Sequence, residues 1–207
     1  MKKKLLNPRG YLSWTQVDMW ERSPERYVAR YMHGGADLSN AAMEFGKKTS
    51  DALESGAETG DLLLDTVVAM LPHYEKREHE IRVTFKTEAG EVDLLGKLDT
   101  YGIKKGPRFR EYKTGRVPWT EAKARKHGQI KHYSGLIYLD EGVLPTEAWL
   151  DWAETAWGED GELGFTGKIA SFHVTPTMQE TLQYLARVSR VAREIDARYR
   201  AELAKMA

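Results

Sequence analysis

Asp99, Glu111 and Lys113 are the residues whose types and spacing point to chemistry in this chain. Asp99 ends the run Val92-Asp93-Leu94-Leu95-Gly96-Lys97-Leu98, and Glu111 and Lys113 stand two apart in Arg110-Glu111-Tyr112-Lys113-Thr114-Gly115. Leu94, Leu95, Leu98 and Tyr101 predict a strand, Gly102 to Pro107 carries turn chemistry, and Phe109 to Lys113 predicts the returning strand. Alternation along that second arm sends Glu111 and Lys113 to one face and Tyr112 to the other. Folding the hairpin about its turn brings Asp99 roughly opposite Glu111. Two neighbouring carboxylates repel unless positive charge lies between them, and a hard divalent cation with oxygen ligands, Mg²⁺ or Mn²⁺, is the natural occupant. Such a cation lowers the pKa of a bound water and neutralises charge on a phosphoryl oxygen, while the Lys113 ammonium can position that water or steady the phosphate. This is phosphodiester hydrolysis in outline. On its own, so short a string also reads as a solvated hairpin, with Asp99, Glu111 and Lys113 as ordinary surface charges.

The elements that must position these groups follow from periodicity and capping. A helix over Glu121 to Tyr138 puts Gln129 and Tyr133 on one face, joined by Lys126 one turn before, with Gly128 and Gly135 as irregularities. Upstream, Ser13 with Gln16 forms a capping-box pattern and Ser23-Pro24 a second helix start, predicting helices over residues 14–22 and 24–32. Trp14, Val17, Trp20, Tyr27, Val28 and Tyr31 form their buried side. Gly34 to Asn40 reads as a loop and Ala41 to Gly56 as a helix; Gly46 inside it costs about 1 kcal/mol against alanine and marks close approach of another backbone. Leu62 to Tyr74 predicts a helix ended near Pro72. Ile81, Val83 and Phe85 alternate with polar residues as in a half-buried strand over His79 to Lys86. Glu147 to Trp157 and Lys168 to Val174 predict strands, and Thr177 to Lys205 a closing helix striped by Val188, Ala192, Ile195 and Tyr199. The order of elements is that of an α/β fold with a mixed central sheet.

Gly96-Lys97-Leu98-Asp99, then Glu111-Tyr112-Lys113-Thr114-Gly115, then Gln129 and Tyr133 at Q-x-x-x-Y spacing, resemble the PD-(D/E)XK nuclease superfamily in its RecB-type, exonuclease-like form. Leu12-Ser13-Trp14-Thr15 to Tyr27 and Phe45-Gly46-Lys47-Lys48 to Leu53-Glu54 resemble its two upstream motifs, so the likeness covers most of residues 12–140. The resemblance implies a restriction-endonuclease-like core, a mixed central sheet flanked by helices, in one domain over residues 1–207. It implies metal ligation by Asp99, Glu111 and the backbone carbonyl of Tyr112, a water- or phosphate-positioning Lys113, and Gln129 and Tyr133 facing the active site. DNA hydrolysis, with exonuclease action in recombination, repair or phage DNA processing, is the activity it suggests; a catalytically silent nucleic-acid-binding module is the alternative. Two positions depart from the pattern. Ser50 stands where the family carries a metal-binding histidine or glutamate, and Glu54, one turn on, is the acid placed to substitute. Ser23 stands where cluster-bearing relatives have cysteine, so no iron-sulfur cluster is expected.

Composition bounds the rest. The 207 residues are 41% hydrophobic and 30% charged, enough to bury a core and unlike any fibre or low-complexity class. With no cysteine, disulfides and thiolate-held metals are excluded. Only Leu5 and Leu6 follow the basic start before Asn7-Pro8, so neither a leader nor a membrane partner is expected, and the cytoplasm of a bacterial or phage-infected cell is the expected place. Basic and acidic residues balance at 31 each, but Lys97 to Lys131 holds eleven Lys or Arg against three acids. That surplus, with Lys104, Lys105, Arg108, Arg116, Arg125 and Lys126 as expected nucleic-acid contacts, is what a polyanion partner requires.

Overall fold

The alternation of Ile81, Val83 and Phe85 produces strand β1 (Lys76–Lys86), which turns at Ala89-Gly90 into β2 (Glu91–Gly102) and then, past Pro107, into β3 (Arg108–Gly115). A computed structural model of the chain describes residues 3–36, 40–159 and 161–206, so part of the loop expected from Gly34 to Asn40 lies outside the described residues. β4 (Glu147–Trp157) and β5 (Leu163–His173) complete a five-stranded sheet in the order β1-β2-β3-β4-β5. Neighbours are antiparallel except β3 and β4. A parallel pair needs a crossover, and α5 (Glu121–Arg125) with α6 (Gly128–Glu141) supplies it.

Helices cover both faces. On one lie α1 (Trp14–Arg22), α2 (Pro24–Tyr27) continuing into a π-helical turn at Val28–Met32, α6, and the long α7 (Met178–Met206). Val17, Tyr27, Leu136 and Val188 pack there against Leu94, Leu98, Phe109 and Leu150. On the other face, α3 (Ala41–Ser55) and α4 (Leu62–Met70) bring Ala52, Leu64 and Val67 onto Ala153 and Phe165. The architecture is α/β, a mixed sheet flanked by helices. No helix among the described residues is long and apolar enough to cross a membrane.

Some elements differ from the sequence reading for identifiable reasons. The helix expected over Glu121 to Tyr138 is two helices that break at Lys126 and His127, so Lys126 does not share the face of Gln129 and Tyr133. Tertiary packing forces the break: His127 stacks near Trp14 and Trp119, at 5.8 and 5.1 Å between ring centres, and Gly128 lies directly against the edge of Trp14. Ser13 is the α1 N-cap residue, yet its hydroxyl accepts from Gln16 Nε2 at 3.5 Å and caps no backbone N–H. At Gly46 a Cβ would meet only the Thr114 hydroxyl at 3.7 Å, an ordinary side-chain contact with no backbone approach. β5 starts at Leu163, ahead of Lys168, because Phe165 packs on Phe45 of α3 with 4.9 Å between rings.

The two helical glycines should therefore respond in opposite directions. Gly128→Ala drives a methyl into Trp14 and is expected to destabilise by about 1–3 kcal/mol. Gly46→Ala has room and improves helix propensity, so it should stabilise by up to about 1 kcal/mol. Urea denaturation of both variants measures the difference.

Candidate active site

The β2–β3 hairpin is paired only from Gly102 with Arg108 to Thr100 with Arg110. Beyond that pair β2 leaves β3, which continues to Gly115 alongside β4. Asp99 is the first residue past the fork, in register with Glu111. Its carboxylate replaces the missing backbone partner, with Oδ2 accepting the Tyr112 amide N–H at 2.6 Å. Two residues along β3, the Lys113 ammonium donates to Glu111 Oε1 at 2.5 Å and to Gln129 Oε1 at 2.9 Å. Gln129 Nε2 donates to the Tyr133 hydroxyl at 2.7 Å, and that hydroxyl donates to the Lys97 carbonyl at 2.6 Å. This chain of bonds fixes the lysine from α6 and ties α6 back onto β2. Gly96 permits it: a Cβ there would run into the Tyr133 ring and Leu136.

Charge at the fork is unbalanced. Glu111 is 2% exposed, and its Oε2 is buried with no hydrogen-bond partner. Burial, then the neighbouring Glu111 charge, holds the Asp99 carboxyl well above the usual carboxylate range, with Lys113 and the Tyr112 N–H acting the other way. Burial also raises Glu111, against the pull of Lys113. For Lys113 burial alone would lower the pKa, but Glu111 and Asp99 outweigh it and the ammonium stays charged. Burial, with Glu111 and Asp99, keeps the Tyr133 phenol protonated and able to donate. Two crowded carboxylates with one lysine and one unpartnered oxygen form a donor set that Mg²⁺ or Mn²⁺ fits. Among the described residues no three His, Cys, Asp or Glu side chains converge on one such point, so the fit rests on this pair.

Solved structures share this fold at low sequence identity. A phage-related exonuclease from Haemophilus somnus 129PT superposes with a TM-score of 0.53 at 14% identity, covering 90% of this chain and 83% of that one. SSO0001 superposes with a TM-score of 0.50 at 13% identity, over 88% and 75%. These overlays show a common α/β fold. LHK-Exo, in complex with dAMP, aligns over 96% and 95% at 16% identity with a TM-score of only 0.42. No protein-family model matches the sequence, and comparison with curated proteins finds no relative.

Of the residues singled out in the sequence, the fold brings Asp99, Glu111, Tyr112, Lys113, Gln129 and Tyr133 together. Among the described residues, the α3 acids make no hydrogen bond or ion pair with this group. Glu54 is half-exposed and meets Lys97 at 3.5 Å, Asp51 pairs with Lys47 at 2.6 Å, and Ser50 is exposed. Lys104, Lys105 and Arg108 lie at the turn end of β3; at about 3.3 Å per residue, Arg108 is roughly 16 Å along the strand from Lys113. Arg125 pairs with Glu121 at 2.8 Å, and Arg116 is exposed beyond the end of β3.

Sequence reading places Trp14 in the buried helix side and gives Trp119 no role. Both line a cavity of about 690 Å³ with His127, Lys123, Lys126 and Arg187, and with the acids Asp18 and Glu21, which pair with Arg22 and Arg187. Lys123 lies over the Trp119 ring at 4.2 Å. Burial, then the Lys113 and Lys123 charges, holds His127 down at about 4, so its ring is neutral at pH 7. Gly128 also lines the cavity, one residue from the Gln129 that holds Lys113, and this puts the cavity next to the fork. The signal for it in sequence is Trp119 just ahead of the basic segment Lys123 to Lys126, while Trp14 joins it through the fold.

The raised carboxyls carry a stability consequence. A carboxyl whose folded pKa lies above its ordinary value holds its proton more tightly when folded, so it favours the fold at low pH, and that contribution is lost as pH climbs through the raised value. In EDTA the wild type should lose thermal stability across the window from the ordinary carboxylate range upward. Asp99→Asn keeps an acceptor for Tyr112 but removes one repelling charge, and should be more stable at pH 8 by on the order of 1–3 kcal/mol, with a flatter pH profile. Melting curves from pH 5 to 9 test this.

Proposed function

We propose that the chain is a divalent-metal-dependent nuclease of the PD-(D/E)XK class, RecB-like in its motifs, that hydrolyses phosphodiester bonds in DNA. The observation that carries this reading is the buried Asp99–Glu111 pair at the strand fork, with Lys113 braced beside it and Glu111 Oε2 unpartnered. The shared fold of the phage-related exonuclease supports it and favours action at DNA ends, in recombination, repair or phage DNA processing. Asp99 and Glu111, with the Tyr112 carbonyl, would hold Mg²⁺ or Mn²⁺. When bound, such an ion supplies an activated water and neutralises developing charge on the phosphate. Lys113 keeps its proton and, fixed by Glu111 and Gln129, can donate to the attacking water or to a phosphate oxygen. Tyr133 and Gln129 act through Lys113, as positioning residues. The cavity beside the fork, with Lys123 and Lys126 at its wall, is the place for the incoming strand, its tryptophans offering stacking surfaces.

A second reading, a silent nucleic-acid-binding module that keeps the fold, draws on Ser50 and on the lack of three converging ligands. Incubation with labelled linear and circular DNA in Mg²⁺, Mn²⁺ or EDTA separates the two. Linear DNA should be degraded only with a divalent ion, and Glu111→Gln or Lys113→Ala should each reduce the rate by at least about a hundredfold. Cleavage that persists in EDTA, or DNA binding without cleavage under any divalent ion, would end the enzyme reading.

Affinity should follow the cavity more than the hairpin turn. Neutralising Lys123 and Lys126 is expected to flatten the slope of log affinity against log salt by about 0.7–0.9 for each phosphate that the variant leaves unneutralised. Neutralising Lys104 and Lys105 should change it less, because they stand at the far end of β3. Binding titrations at several salt concentrations compare the two pairs.

A further inference from the structure

A third carboxylate stands beside Asp99 on its other side. Arg77 pairs with Thr100 and His79 with Leu98, so Glu78 of β1 falls opposite Asp99, and that position alone drops out of the ladder between them. Asp99 is in turn the residue at which β2 leaves β3 beside Glu111. Glu78, Asp99 and Glu111 thus form a row across three adjacent strands. Glu78 takes this place with φ at +48°, a left-handed backbone that L side chains rarely adopt inside a strand. Its side chain is 13% exposed and meets the Lys97 ammonium at 2.5 Å. Burial is the main cause of the upward shifts at Asp99, Glu111 and Tyr133, and the Glu78 charge adds to all three, so it is felt throughout the site. At the far end of the row, the buried and unpartnered Oε2 of Glu111 leaves an acceptor open to a cation.

We propose that Glu78 is the third acid of the cation site, taking the role that Ser50 of α3 cannot fill, with the Lys97 ammonium as its counter-ion until a divalent cation binds. This rests on the nuclease reading above and deepens it. The rival acid, Glu54, is half-exposed, meets the same Lys97 at the longer distance of 3.5 Å, and lies on a helix outside the strand row. Glu78 is largely shielded from water and shares a register position with Asp99, so its charge acts on that site with little screening. The hold of Lys97 on Glu78 also explains why three acids do not converge on one point: one is turned to an internal ammonium. Lysine and metal then compete for one carboxylate.

Calorimetric titration of the purified protein with Mn²⁺, without DNA, tests the assignment, alongside melts in EDTA. Glu78→Gln should weaken Mn²⁺ binding by about 10–100-fold. Glu54→Gln should leave it unchanged, and Lys97→Met should tighten it by freeing Glu78. Glu78→Gly removes the carboxylate but suits the left-handed backbone, so it should melt no lower than wild type while binding Mn²⁺ as weakly as Glu78→Gln. A residue needed only for folding would not separate those two readouts. Wild-type Mn²⁺ affinity in both Glu78 variants, with binding abolished in Asp99→Asn, overturns the role of Glu78 and leaves the nuclease site standing. Wild-type affinity in Asp99→Asn overturns the site itself, and this proposal with it.

Discussion

Placing Asp99 and Glu111 where β2 leaves β3 is unfavourable twice over, since each carboxylate loses water and the Glu111 charge opposes ionisation of Asp99. Several features of the fold offset that arrangement. The Tyr112 amide, freed from the ladder by the fork, becomes a donor for Asp99. Lys113 is brought onto Glu111 by the period of the strand, and α6 holds it there through Gln129 and Tyr133. One residue before Glu111, on the opposite face, the Arg110 guanidinium makes a two-pronged contact with the fully buried Asp151 of β4 at 2.7 and 2.9 Å. Losing one partner of such a buried pair costs about 3–5 kcal/mol, so it pins β3 to β4 beside the site. With β3 held from that side, β2 is free to diverge, and the fork can open without unravelling the sheet.

Much of this is legible in the sequence because it depends on local periodicity. The two-residue spacing of Glu111 and Lys113 fixes a common face wherever the strand lies, and the i, i+4 spacing of Gln129 and Tyr133 does the same on a helix. α3 starts at Ala41 as the sequence reading has it, with the Asn40 side chain accepting the Met43 N–H, and stops one residue short at Ser55, where Gly56 takes the left-handed cap position. Long-range packing is not legible. Nothing near Gly128 in the sequence announces that Trp14 fills the space beside it, so periodicity alone runs the helix through the break before α6 and puts Lys126 on a face it does not share. Glu78 is hidden for the same reason. The alternation predicts a strand only from His79, which leaves Glu78 outside it, and only the β1–β2 register puts it opposite Asp99.

The basic surplus between Lys97 and Lys131 shows how far a charge count can mislead without a fold. Lys97 is bound to Glu78, Arg110 to Asp151, Lys113 to Glu111, Arg125 to Glu121 and Lys131 to Glu180, while Lys104 and Arg108 lie within 4.0 Å of Glu75. Among the described residues, Lys105, Arg116, Lys123 and Lys126 of that stretch have no ion pair. Lys123 and Lys126 line the cavity next to the fork, where His127 is held neutral and the acids Asp18 and Glu21 are paired with Arg22 and Arg187. The surplus is therefore largely taken up by ion pairs, three of them with shielded acids of the sheet, and the part left over for a polyanion is small and localised. On the nuclease reading, a few unpaired cations beside two aromatic faces favour a single strand lying in the cavity more than a duplex wrapped across a broad basic surface. On that reading, Lys113, still 27% exposed at its side chain while Glu111 is closed off, is the group of the fork that a phosphate would meet first.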